Sequence, residues 1–165
     1  MFKRSIASIC AATFFALLPA SAAFASSDSI YCEPYDVRSY TQTSSVWYAS
    51  DSGTLANNSG GTISKAFTHS SNQSLGSTVS AEVGASVSTV VAEVNAKLGV
   101  SVAVTASYTT STTFTVTAPA HTTVTYRDGI LKRTYSVKKV HTYSNCAQAT
   151  TYGTAWLADS YSVAN

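Results

Sequence analysis

The chain has 165 residues, 10 Lys+Arg against 8 Asp+Glu, and 11 % charged side chains beside 45 % hydrophobic ones, which leaves room for one domain. From Ser26 onward it holds 24 Ser, 22 Thr and 16 Val, short of the residues helix surfaces use and rich in the β-branched ones that suit a pleated sheet. This disfavours a helical bundle, a disordered chain and a nucleic-acid binder, the last because phosphate contacts need clustered Lys and Arg.

Lys3 and Arg4 precede an apolar stretch over residues 6–18, and Pro19 then leads to Ala23-Phe24-Ala25. A positive start, a short apolar run and an A-x-A site predict a secretory signal peptide over residues 1–25 and an extracellular destination. The run of 13 residues includes Ser8 and Thr13 and falls short of the ~20 needed to span a bilayer as a helix. Without Lys3, Arg4 and Cys10 the chain has 8 basic and 8 acidic residues and two cysteines, Cys32 and Cys146. In an oxidising compartment these predict one disulfide that ties the ends together. No CxxC and no His at ligand spacing lie beside them, so a metal site is the weaker reading.

Residues 26–165 read as a single β-rich domain. Residues 37–48 predict one or two short strands, and Asp51-Ser52-Gly53 with Asn57-Asn58-Ser59-Gly60-Gly61 predicts an exposed loop. A Ser/Thr-rich extended run then starts at Thr62. Over residues 75–87 the odd positions are Leu75, Ser77, Val79, Ala81, Val83, Ala85 and Val87, and the even ones are polar or glycine. That is the period of a strand. A second run, 98–108, places Leu98, Val100, Val102, Val104, Ala106 and Tyr108 on even numbers.

Between them, Val83, Val87, Val90, Val94 and Leu98 are spaced 4, 3, 4 and 4, with Lys97 and Gly99 as stop signals. Residues 86–98 are therefore either a short amphipathic helix or the tip of a long hairpin. Residues 109–117 predict a Thr-rich strand that Pro119 ends, because proline has no N–H to donate. A strand over 121–126, a turn at Arg127-Asp128-Gly129 and a strand over 130–143 follow, and Tyr152, Trp156, Leu157, Tyr161 and Val163 mark a last segment that meets the sheet. The expected fold is all-β, elongated and antiparallel.

No motif with a catalytic spacing is present: no G-x-S-x-G, no phosphate loop, no zinc spacing and no paired carboxylates. His69, His121 and His141 are far apart and predict exposed strand positions. The expectation is a protein that is not an enzyme and needs no cofactor and no metal.

The middle of the chain resembles one kind of module. A Ser/Thr-rich strand, the amphipathic stretch Leu75-Gly76-Ser77-Thr78-Val79-Ser80-Ala81-Glu82-Val83, a more hydrophobic turn, a second amphipathic stretch and a strand ending Thr115-Val116-Thr117-Ala118-Pro119-Ala120 follow in that order. The order resembles the membrane-inserting module of aerolysin-like pore-forming proteins, including the ETX/MTX2 toxins, over residues 62–140. The resemblance implies a secreted protein that oligomerises on a target membrane, meeting its lipid or an unknown surface receptor, and inserts residues 75–108 as a hairpin.

A membrane strand needs ~9–11 residues, apolar toward lipid and polar toward the lumen. On this reading Leu75, Val79, Val83, Val87, Val100, Val102 and Val104 face lipid, and Thr78, Ser80, Glu82, Ser101 and Thr105 line the channel. Val90, Val91 and Val94 form the tip. The alternative is a secreted β-rich surface or binding protein without pore activity, since any sheet with one wet face alternates in the same way. For that reading Tyr31, Tyr35, Tyr40, Trp47 and Tyr48 are candidate anchors, or packing around the disulfide.

Overall fold

The computed structural model describes residues 31–165. The expected signal peptide lies outside the described residues. Three long strands form a frame: β1 (Tyr35–Asn57), β8 (Thr122–Thr142) and β9 (Gln148–Ala164). Between β1 and β8 come β2 (Ile63–Thr68), β3 (Gln73–Gly76), β4 (Thr78–Val79), a 3-10 turn (Ala81–Val83), helix α1 (Val87–Leu98), β5 (Val102–Ala103), β6 (Thr105–Tyr108) and β7 (Thr113–Ala118). All pairings are antiparallel, with β8 central between β1 and β9. The fold is all-β apart from one helix and the 3-10 turn, and β1 alone, at 23 residues, is roughly 75 Å of strand.

The frame strands are longer than their local sequence predicts. Asp51-Ser52-Gly53 lies inside β1 and Arg127-Asp128-Gly129 inside β8, and neither is a turn. β8 is hydrogen-bonded on both sides, to β1 through Gly129↔Ser50 and to β9 through Gly129↔Tyr161. Ladders on both edges outweigh the turn preference of three residues. Gly129 sits where β1 shifts register between Trp47 and Ala49, and a Cβ there would lie 2.6 Å from Ser50 Cα and run into the Ala49 carbonyl. Its role is close approach of two backbones.

Residues 58–121 leave and rejoin the frame at one end, where Asn57 pairs with Thr122. Asn57 is buried, and its Nδ2 donates to the carbonyls of Gly61 (2.7 Å), Ala118 (3.0 Å) and Pro119 (2.8 Å), joining the two stalks. β2 pairs with β7 and β3 with β6, so the insertion is a hairpin. Its arms lie on one face of the frame. There Phe67, Phe114, Val116 and Ala118 meet Leu55, Val124 and Tyr126, and Leu75, Ala106 and Tyr108 meet Ala49, Ile130 and Ala158.

The hairpin then crosses the β9 edge: β4 pairs at Trp156 and Ala155, and β5 at Asp159 and Ala158. Beyond it the 3-10 turn and α1 cover the opposite face, where Val83, Val90, Val91 and Val94 close a core with Tyr40, Tyr135, Val137, Ala155 and Leu157. Leu157 and Ala158, adjacent in β9, serve the two separate cores because successive strand residues point to opposite faces. The Cys32–Cys146 disulfide links the segment before β1 to the β8–β9 connection, with Cα atoms 5.1 Å apart.

Candidate membrane-insertion hairpin

The alternation over 75–87 predicts one strand, and the structure breaks it into β3, β4 and a 3-10 turn. Gly84, in the left-handed region at φ +62, returns its N–H to the Ala81 carbonyl and ends the extended path. The run over 98–108 is likewise broken, with Leu98 the last residue of α1 and only 102–103 and 105–108 in strands. The open choice over 86–98 resolves as helix. Ser86 Oγ accepts from the Thr89 N–H at 3.2 Å, and Gly99 at φ +65 closes the C-terminus. The extension to residues 109–117 is also interrupted, because Thr112 N donates to the Thr109 carbonyl in a turn before β7.

The residues assigned to the lipid side are mostly turned inward. Val83 and Val102 are buried, Leu75, Val79, Val87 and Val100 are half-buried, and Val104 is 48 % exposed. Of the residues assigned to the lumen, Thr78, Glu82, Ser101 and Thr105 are exposed and Ser80 is half-buried. Ser80 Oγ accepts from the Thr154 N–H at 3.1 Å and the Ser80 N–H donates to the Thr154 carbonyl, so this residue stitches the turn to β9. The tip residues Val90, Val91 and Val94 form the buried face of α1.

Polar contacts clamp the tip to β1. Arg38 donates to the Val83 carbonyl (3.2 Å), the Gly84 carbonyl (3.2 Å) and Glu93 Oε1 (3.2 Å). Tyr40 donates its hydroxyl to Glu93 Oε2 at 2.9 Å, and Lys97 reaches both Glu93 and the Arg38 carbonyl. Burial alone would push the Glu93 carboxyl up. The hydrogen bonds from Lys97 and Tyr40, with the charges of Lys97 and Arg38, outweigh it and hold Glu93 below its ordinary value. Burial, then the hydrogen bond to Glu93 and its charge, raise the Tyr40 hydroxyl, which stays a donor. Asn95 makes a reciprocal pair with the Val102 backbone, both bonds 2.8 Å, fixing the return path after the helix.

The histidines are not three exposed strand residues. His121 is exposed in a turn at φ +56, and His141 is half-buried beside Asp36. His69 is buried, with Nδ1 3.1 Å from Asp51 and Nε2 2.8 Å from Asp128, and its ring stacks on Tyr108. Asp51 and Asp128 are cross-strand partners, so the frame supplies the carboxylate pair that spacing along the chain could not reveal. The signal available was two acidic residues on the inward register of strands whose other inward positions are Ala49, Leu55 and Ile130.

The five N-terminal aromatic residues are not gathered around the disulfide. Tyr40 is in the tip core, Tyr31, Tyr35 and Tyr48 are exposed, and Trp47 belongs to a separate row. In that row Arg127 lies over Trp47 (4.5 Å), Trp47 meets Tyr161 (5.9 Å), and Arg133 lies over Tyr161 (5.6 Å). Arg133 is paired with buried Asp159 at 2.7 Å, beside an open cavity of about 400 Å³.

The chain matches no protein-family model, no curated protein and no solved structure. Among the described residues no helix is long and apolar enough to cross a membrane, a statement that does not bear on strands.

Proposed function

We propose that this is a secreted, aerolysin-like pore-forming protein. It oligomerises on a target membrane, bound through lipid or a surface receptor, and inserts residues 75–108 as an amphipathic hairpin. One observation carries the reading: strand-period alternation runs through residues that are a 3-10 turn, a helix end and irregular links in this fold. A pattern the folded chain uses only in the short strands β3 to β6 suits a second conformation in which it is used throughout. Extended, residues 75–87 and 98–108 supply 13 and 11 residues, enough for the ~9–11 that each membrane strand needs. A lone hairpin would leave edge N–H and C=O groups unpaired in hydrocarbon, so several copies must close a barrel.

The test uses two adjacent residues that are both exposed in the soluble fold, Val104 and Thr105, so neither change disturbs its core. Release of dye from liposomes should be lost in Val104→Arg, which places a charge in lipid at ~2–4 kcal/mol per copy near the bilayer centre. Thr105→Arg should release dye with altered conductance. If wild-type protein never releases dye across several lipid compositions and after protease nicking, the proposal fails. If the two variants behave alike, the face assignment fails.

The row of Arg127, Trp47, Tyr161 and Arg133 favours a second reading, a surface-binding protein without pore activity. Retention on cell-wall or glycan preparations, lost in Trp47→Ala, would support it.

A further inference from the structure

His69 stands between β2 and β3, and its side chain is 1 % exposed. It joins the hairpin to two of the three long strands at once, through Asp51 of β1 and Asp128 of β8. A neutral imidazole has a single N–H. It could donate to one carboxylate only, and its other nitrogen would turn a lone pair toward the second. Both ring nitrogens within 3.1 Å of carboxylate oxygens therefore call for a ring that carries both protons.

We infer that His69 is a proton-operated latch, holding the hairpin on the frame while both ring nitrogens are protonated and releasing it when one proton is lost. Loss of that proton removes one hydrogen bond and leaves two negative charges facing each other across one cross-strand pair in a mostly buried site. The other groups packed around the pair are neutral, and the Asp51 side chain is 31 % exposed. β6 contributes Tyr108, stacked at 3.9 Å, β7 contributes Phe114, and β9 contributes the Ser162 hydroxyl, which donates to Asp128. Ser70 donates its N–H and hydroxyl to Asp51. Among the described residues no Lys or Arg is hydrogen-bonded to either carboxylate.

The acid side has the opposite sign. Burial pushes the Asp51 carboxyl up, but the hydrogen bonds from Ser70 and His69 and the His69 charge outweigh it, leaving Asp51 lowered from 3.8. Its contribution is present above that ordinary value and is lost as pH falls through the lowered one. The bridge thus holds in a window bounded below by carboxylate protonation and above by loss of the ring's second proton.

The latch deepens the proposed function and rests on residues 63–118 being the part that moves. Its test contains no membrane. In the full chain, the His69 ring proton signal is followed by NMR as pH rises, together with the contact between the Phe67 and Tyr126 rings, whose centroids are 4.2 Å apart. The contact should weaken as the ring titrates, the open-to-closed ratio rising by at most about tenfold per pH unit, the limit for release of one proton. Asp128→Asn should abolish the step, because a carboxamide can offer oxygen to a protonated ring or N–H to a neutral one. His69→Gln, with no proton to lose, should be equally flat. A ring that titrates while the contact stays intact, a ring that keeps both protons until global unfolding, or a step that survives in Asp128→Asn would each overturn the latch. Absence of dye release beside a working latch would sink the pore reading alone.

Discussion

At the scale of single residues, the tightest constraint in the frame is Gly129, where β1 and β8 approach too closely for any Cβ. Gly129→Ala must push the β1 backbone away at Ala49 and Ser50, and overpacking of this kind costs about 1–3 kcal/mol. The expected result is a lower urea midpoint with an unchanged slope. A midpoint equal to wild type would mean that the β1 bulge shifts freely. The same residue explains why Arg127-Asp128-Gly129 reads as a turn: glycine after aspartate is a turn signal when only neighbours along the chain are weighed. Its reason here is a strand more than 70 positions away in the sequence, at Ala49 and Ser50. His69 was hidden for a similar reason, since neither of its partners is near it in the chain.

At the scale of elements, α1 depends on charge as well as on its valines. Glu93 sits below its ordinary 4.5 because Lys97, Tyr40 and Arg38 outweigh its burial. A depressed carboxyl contributes stability that is complete above the ordinary value and is lost as pH falls through the lowered one. Amide exchange in residues 87–98 should therefore accelerate on acidification below pH 4.5, after correction for intrinsic rates, and Glu93→Gln should flatten that dependence. Exchange that follows intrinsic rates alone in the wild type would remove Glu93 from the clamp. Much of this element was legible: the 4, 3, 4, 4 spacing of apolar residues and the Lys97-Gly99 ending mark a helix that the structure places at Val87–Leu98. Alternation on both sides, over 75–87 and 98–108, equally allowed residues 86–98 to be the tip of a long hairpin, and local pattern cannot decide between helix and tip. The decision is made by a hydrophobic surface elsewhere, on Tyr40, Tyr135, Val137, Ala155 and Leu157, that only the assembled frame presents.

At the scale of the molecule, the all-β character followed from composition, and the disulfide followed from the two cysteines that lie outside the expected signal peptide. The 114-residue separation of Cys32 and Cys146 corresponds to about 4–5 kcal/mol in the chain-entropy account. Reduction, or the double change Cys32→Ser with Cys146→Ser, should lower the melting temperature by about 10–20 °C at this chain size. An unchanged melting temperature would mean that the frame ladders alone hold the ends.

The placement of the stalks has one more consequence. Residues 58–62 and 119–121 leave the frame side by side, and no frame strand passes through the hairpin they support. Swinging that hairpin outward therefore requires no unthreading, and every β1–β8 and β8–β9 pair can persist throughout. The hydrogen bonds to be exchanged are few: the β4 and β5 pairings and the Ser77 and Ser80 links along β9, with the side-chain clamps on Arg38, Glu93 and His69. The barrier to such a motion is set by that short seam and by the apolar side chains the hairpin buries on the two faces of the frame, and the ladders of the frame itself do not enter it.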